Sequence, residues 1–186
     1  KDVTQAELLA IIRKVKPLCD AAGVPLIVND DALVCKLSGA AGVHIGLGDG
    51  SIRAAGKLLG SDKIIGATAH NLDEALAAQA AGADYIGVGA AFGSKSKGNA
   101  VRLANLKAYR DITSAVDIPV IAIGGINAGN VGELAGLGLS GIAVISAIFG
   151  SRDIAASAHE LRAAAQALTS SPCAEDNSEE GTETDG

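Results

Sequence analysis

Methionine and tryptophan are absent from the 186 residues, and phenylalanine and tyrosine number two each. So few rings leave no platform on which the bases of a single-stranded nucleic acid could stack. Positive charge is not in surplus either: 15 Lys and Arg face 21 Asp and Glu, for a net charge of −6. Binding nucleic acid by releasing counterions from phosphates needs a basic stripe, and this balance excludes one. The three cysteines, Cys19, Cys35 and Cys173, lack the paired spacing of a zinc site or a disulfide framework and read as reduced thiols. No apolar run comes near the roughly 20 residues of a membrane span, and no basic segment leads into an apolar one as in a secretory signal. A cytoplasmic protein with no membrane partner is expected. A chain without methionine that opens on Lys1 is also expected to lack something upstream.

What remains is rich in small and branched apolar residues. Hydrophobic residues make up 48% of the chain, enough for one domain with a sizeable core. The acidic surplus has an address. From Thr169 onward the segment TSSPCAEDNSEEGTETDG carries Glu175, Asp176, Glu179, Glu180, Glu183 and Asp185 with no Lys or Arg. The remaining acids and bases balance. Residues 1–168 therefore read as the folded domain and 169–186 as an acidic, disordered tail, since that segment has almost nothing apolar to bury.

Six short runs rich in Val and Ile punctuate the domain: 24–30, 42–46, 63–70, 83–89, 118–125 and 141–150. Each is nearly continuous in its apolar character, as parallel strands buried on both faces are. Ala-rich amphipathic segments such as NLDEALAAQAAGA and NVGELAGLGLSG lie between them and read as helices. The first element, 4–22, is a helix rather than a strand, with Thr4 and Glu7 at capping-box spacing and a Pro17 that could kink it. A strand is therefore expected before it, and six is a lower bound on the strand count.

Two architectures accommodate this alternation, a doubly wound open sheet and an eight-stranded barrel without its start. The polar residues favour the barrel. Asn29 and Asp30, Asp49, Thr68, the GSKSK loop, Gly124 and Gly125, and Ser146 stand at the C-terminal ends of successive strands. An open sheet gathers its ligand at one switch point, whereas a barrel brings every strand end to one mouth.

Several of these residues have chemistry open to them. Asp30 and Asp49, on neighbouring strand ends, suit Mg²⁺, which takes few protein oxygens and shares the rest with phosphates. Equally, Asp30 or Asp31 could simply cap the next helix. The pair Gly124–Gly125 offers bare backbone amides to a phosphate, or only a turn. Thr68 and Ser146 offer hydroxyls. His44 and His70 are isolated, and a hydrogen-bonded structural role suits each better than general-base work. No Ser–His–Asp or Cys–His arrangement and no dinucleotide or Walker signature occurs.

The ordered series VPLIVNDD, GVHIGLGD, IIGATAH, ADYIGVGAAFGSKSK, IPVIAIGGIN and GIAVISAIFG closely resembles the thiamine-phosphate synthase family, from Lys1 to about Leu168. The resemblance implies an α/β, (β/α)₈ TIM barrel whose first strand–helix unit and second strand are missing from this chain. It implies a Mg²⁺-dependent transferase that joins hydroxymethylpyrimidine diphosphate to thiazole phosphate and releases pyrophosphate. By the family pattern Asp30 and Asp49 hold Mg²⁺, while Asn29, Thr68 and Lys97 contact the pyrimidine and its leaving diphosphate. Ser94, Ser96, Gly124, Gly125, Ile145 and Ser146 receive the thiazole phosphate. Lys1 corresponds to the Lys of an Arg-Glu-Lys segment whose Arg lies upstream. An incomplete barrel has two unpaired edges, so self-association into a homo-oligomer is a further expectation. Two alternatives stand beside the synthase: a thiazole tautomerase of the same barrel family, and a non-catalytic phosphate-binding barrel. The tautomerases tend to lose the HIGxxD acid and to place a His before the Ser/Thr–Lys loop. Here Asp49 is kept, and Ala90 stands where that His would be.

Overall fold

Residues 3–48, 50–93 and 106–170 are described by a computed structural model. Helix α1 (Gln5–Ala21) begins at the box expected of it. The Thr4 hydroxyl accepts the Glu7 N–H at 3.3 Å, and the Glu7 carboxylate accepts the Thr4 N–H at 2.8 Å. Those bonds, the backbone one first, hold the Glu7 carboxyl below its ordinary pKa. The helix runs on through Pro17.

Six parallel strands follow: β1 (Ile27–Asn29), β2 (Gly42–Ile45), β3 (Ile64–Ala69), β4 (Tyr85–Gly89), β5 (Val120–Ile123) and β6 (Gly141–Ala143). The helices between and after them are α2 (Ala32–Ser38), α3 (Ile52–Leu59), α4 (Leu72–Ala80), α5 (Lys107–Ala115), α6 (Ser146–Phe149) and α7 (Ile154–Ser170). Strand order equals chain order, β1 to β6, with no reversal. Parallel crossovers are right-handed almost without exception, so an order that never reverses sends every connecting helix to the same face. A doubly wound sheet has to reverse. The winding is that of a barrel wall.

The two faces differ accordingly. Toward the helices point Val28, Val43, Ile45, Ile65, Ala67, Ala69, Ile86, Val88, Val120 and Ala122, none more than 5% exposed. Each larger aliphatic among them contributes roughly 1.5–3 kcal/mol by its burial. On the opposite face Ile27, His44, Ile64, Thr68, Tyr85 and Ile121 are half-buried, and Asn29 and Ile123 are exposed. That second face, with its C-terminal rim, carries the polar residues. Among the described residues no helix is long and apolar enough to cross a membrane.

Two expected elements turn out differently. The run 141–150 is a strand only as far as Ala143, and Ser146–Phe149 is a turn of helix. Among the described residues its ladder partner is β5, which pairs Ile123 with Ala143 and then ends, because Gly124 and Gly125 turn the chain at φ of 100° and 68°. Ser146 thus opens α6 rather than closing a strand. The expected helix in NVGELAGLGLSG shrinks to a 3₁₀ turn, Val131–Leu134. Gly136 and Gly138 adopt φ of 71° and 72°, a left-handed backbone that no α-helix continues through.

Two side chains tie the frame to the rim. The Tyr109 hydroxyl, buried on α5, donates to the Val88 carbonyl of β4 at 2.8 Å, and burial pushes its pKa up. Asp31 caps α2: its Oδ1 accepts the Val34 N–H at 2.8 Å, and its Oδ2 accepts the Gln5 amide of α1 at 2.7 Å. Asp31→Ala is expected to lower stability by about 1 kcal/mol, a typical capping loss. Urea unfolding with an unchanged m-value would check it.

Candidate active site

The rim is assembled by register. Asn29 pairs with His44 and His44 with Gly66; two residues further on, Thr68 pairs with Gly87 and Gly87 with Ile121. Asn29, Asp30, Thr68, Gly124, Gly125, Ile145 and Ser146 all lie at or just beyond the C-terminal ends of their strands. Lys1, Asp49, Ser94, Ser96 and Lys97 lie outside the described residues, as do residues 171–186 of the acidic segment.

Which acid caps the helix after β1 is now answered. It is Asp31, so the cap does not account for Asp30. Asp30 is the one non-glycine among the described residues with a positive φ, 67°. It sits at the centre of a tight turn in which the Asp31 N–H donates to the Asn29 carbonyl at 2.8 Å. Its own N–H donates to the His44 carbonyl at 2.8 Å, which fixes the turn against β2. Aspartate tolerates this backbone better than most residues, yet the conformation is uncommon and such outliers cluster at functional sites. Asp30 and Asp31 also border a hollow of about 460 Å³ lined by Ile45, Ser51, Ala54, Ala55 and Leu58, which lies on the helix side of the sheet rather than on its polar face.

The chemistry of this corner suits a hard cation. The Asp30 carboxylate supplies oxygen, and the imidazole of His44 is engaged by a phenol and a hydroxyl. No group of three or more His, Cys, Asp or Glu suited to a metal occurs among the described residues. Mg²⁺ does not need such a cage, because one or two carboxylates with water and substrate phosphates complete its shell.

The glycine pair after β5 has a steric reason beside the electrostatic one. A Cβ on Gly124 would stand 2.6 Å from that of Ala90, and one on Gly125 would stand 2.6 Å from the Gly93 carbonyl oxygen. The chain leaving β4 lies directly on the pair, with the Phe92 N–H donating to the Gly124 carbonyl at 3.0 Å. Asn130 and Asn127 donate to the Gly125 carbonyl at 3.0 and 3.3 Å, so the loop beyond is tied to itself. The N–H groups of Gly124 and Gly125 have no acceptor among the described residues.

Ser146 opens α6, whose N-cap, Ile145, makes no side-chain capping bond. Ser146 also lines a cleft of about 300 Å³ with Asn127, Gly129, Ser157 and Glu160. The Glu160 carboxylate opposes an anion inside that cleft. The amides of Gly124 and Gly125, which do not line it, are the better anion donors.

His70 is committed elsewhere, its Nδ1 lying 3.1 Å from the Glu74 carboxylate at the start of α4. His44 is more informative. Its imidazole reaches from β2 across β3 to β4, with Nε2 3.0 Å from the Thr68 hydroxyl and Nδ1 3.0 Å from the Tyr85 hydroxyl. Tyr85, Gly66 and Gly87 escape a reading that looks only at strand ends. The available signal was a glycine at alternate positions inside two strands, which marks close approach of another group. A Cβ on Gly66 would overlap the Tyr85 ring at Cζ, and one on Gly87 would stand 3.3 Å from His44 Cε1.

Comparison with known proteins bears on this constellation. The family described as thiamine monophosphate synthase matches residues 1–148. That span holds every candidate residue from Lys1 to Ser146. The chain belongs to this family. It is 40% identical over 161 residues to the thiamine-phosphate synthase of Clostridium tetani, covering 87% of this chain and 77% of the relative. It is 42% identical over 162 residues to that of Moorella thermoacetica, with the same two coverages, 87% and 77%. Among solved structures it resembles thiamine phosphate pyrophosphorylase from Pyrococcus furiosus, with a TM-score of 0.82 and 35% identity over 90% of this chain and 80% of that one. Membership and these relatives make the chain an enzyme of the thiamine-phosphate synthase type.

Proposed function

We propose that this protein joins hydroxymethylpyrimidine diphosphate to thiazole phosphate, giving thiamine phosphate and pyrophosphate. The observation that carries the reading is the family match across residues 1–148, which contains the whole candidate constellation. On this reading the six strands are the third to eighth of a (β/α)₈ barrel. The relatives' greater length, of which this chain covers 77%, leaves room for the rest.

The chemistry asks little of covalent catalysis. The bond between the pyrimidine methylene carbon and the diphosphate oxygen breaks, and its electron pair leaves with pyrophosphate. The thiazole nitrogen then donates its lone pair to that carbon, and the product carries the positive charge. What the protein supplies is stabilisation of the departing anion and alignment of the second substrate. In this assignment Asn29, Thr68 and Lys97 hold the pyrimidine and its diphosphate, and Lys1 belongs to the same catalytic set. Ser94, Ser96, Gly124, Gly125, Ile145 and Ser146 hold the thiazole phosphate through hydroxyls and backbone amides. Asp30 and Asp49 would hold Mg²⁺, which when bound neutralises charge on the diphosphate. The absence of a nucleophile–base pair among the motifs is consistent with such a reaction.

The test is a product assay on the purified protein. With both substrates and Mg²⁺ it should form thiamine phosphate and pyrophosphate in equal amounts, and either substrate alone should give neither. Pyrophosphate release without a carbon–nitrogen bond, or no turnover by folded protein, would overturn the reading.

A further inference from the structure

We infer that His44 is a positioning residue, a fixed Nε2–H donor that turns the hydroxyl hydrogen of Thr68 toward the anionic substrate. The inference rests on the reading of Thr68 as a substrate contact. Three side chains from three neighbouring strands form one chain of hydrogen bonds, Tyr85 to His44 to Thr68, with both links 3.0 Å long. Room for it is left by two glycines. Only the missing side chain of Gly66 lets the Tyr85 ring lie across β3, and Gly87 leaves the same kind of space for the imidazole.

The direction of the chain follows from the groups. Burial pushes the Tyr85 pKa up, so its hydroxyl keeps its proton throughout the neutral range. A phenol O–H is a stronger donor than an imidazole N–H, and an imidazole nitrogen is a stronger acceptor than a phenol oxygen. Tyr85 therefore donates to Nδ1. With Nδ1 accepting, the N–H that the imidazole carries faces Thr68 from Nε2. Facing that donor, the Thr68 oxygen accepts, and its one hydrogen is left to point away from His44. With the opposite tautomer Thr68 would spend its hydrogen on Nε2 and present only lone pairs to an anion. The Tyr85–His44 pair thus determines whether Thr68 greets a phosphate oxygen as a donor or as a repelling acceptor. A merely structural triad would hold the three strands together in either direction.

The experiment is imidazole ¹⁵N NMR on the whole protein, with His44 assigned among three histidines by loss of its signals in His44→Gln. The expected spectrum has a pyridine-like Nδ1 and a pyrrole-like Nε2 for His44, shifting toward a tautomer mixture in Tyr85→Phe. A pyrrole-like Nδ1, or a spectrum indifferent to Tyr85→Phe, overturns the inference whether or not the protein turns over. Steady-state kinetics supply the second readout. His44→Leu should lower kcat by roughly 10- to 100-fold, the scale of a misaligned contact, with little change in KM for thiazole phosphate. His44→Gln, whose amide can donate to Thr68, should recover part of that loss. In a Thr68→Ala background His44→Leu should cost almost nothing more. Fully multiplicative losses in the double variant would overturn the inference, while an inactive parent protein would count against the proposed reaction alone.

Discussion

Asp30→Asn is expected to raise the Mg²⁺ concentration needed for half-maximal turnover at least about 100-fold, beyond what loss of an outer-shell partner costs. Removing the metal with a chelator should abolish turnover, and excess Mg²⁺ should restore it in the parent protein. Asparagine is the informative replacement because it also tolerates a left-handed backbone, so the turn at φ 67° can persist while the charge is lost. Stability should stay within about 0.5 kcal/mol of the parent, in contrast with the neighbouring Asp31→Ala. The two adjacent acids would then separate cleanly, one acting on metal and rate, the other on folding. An Asp30→Asn protein with unaltered Mg²⁺ dependence would remove Asp30 from the metal site.

Gly125→Ala is expected to weaken the fold and the site together. The new methyl would lie 2.6 Å from the Gly93 carbonyl oxygen and 3.0 Å from backbone atoms of Phe92, and no side-chain rotation relieves a clash with backbone. The left-handed φ of 68° adds roughly 1–2 kcal/mol for any residue with a Cβ. Overpacking adds about 1–3 kcal/mol. Against a total stability of about 5–15 kcal/mol that is a large fraction. At roughly 2–4 °C per kcal/mol for a chain of this size, the midpoint should fall by on the order of 10 °C. KM for thiazole phosphate should rise as well, since the same amides are the proposed phosphate donors. Gly132→Ala is the control, because a methyl at that position would meet nothing within 4 Å, and it should be nearly neutral. Equal midpoints for the two variants would show that the close packing around Gly125 carries no weight.

Both predictions draw on features that the sequence displays unevenly. The alternation of Val- and Ile-rich runs with Ala-rich segments was legible because burial on both faces leaves few polar residues within a strand. Each of the six runs contains a strand, and the α1 cap stands where Thr4 and Glu7 put it. The ends were less legible. How far β6 extends depends on where its neighbour β5 stops, and the helix expected after Asn130 fails at two glycines that could equally have been tolerated in a helix. Pairing across a sheet is not a local property.

Residue type and order along the chain therefore determined the parallel α/β class, the number of visible strands and the family, since these rest on local pattern and on identity at spaced positions. They also placed each candidate residue near a strand end. Tertiary structure alone decided the unreversed strand order and that Asp31, not Asp30, caps α2. It alone revealed that the glycines after β5 are pressed by the chain leaving β4, and that His44 joins Thr68 to Tyr85. Each of these is a contact between segments distant along the chain, governed by register, backbone angle and the space a missing side chain leaves. Composition and spacing do not encode such distances; folding brings them about.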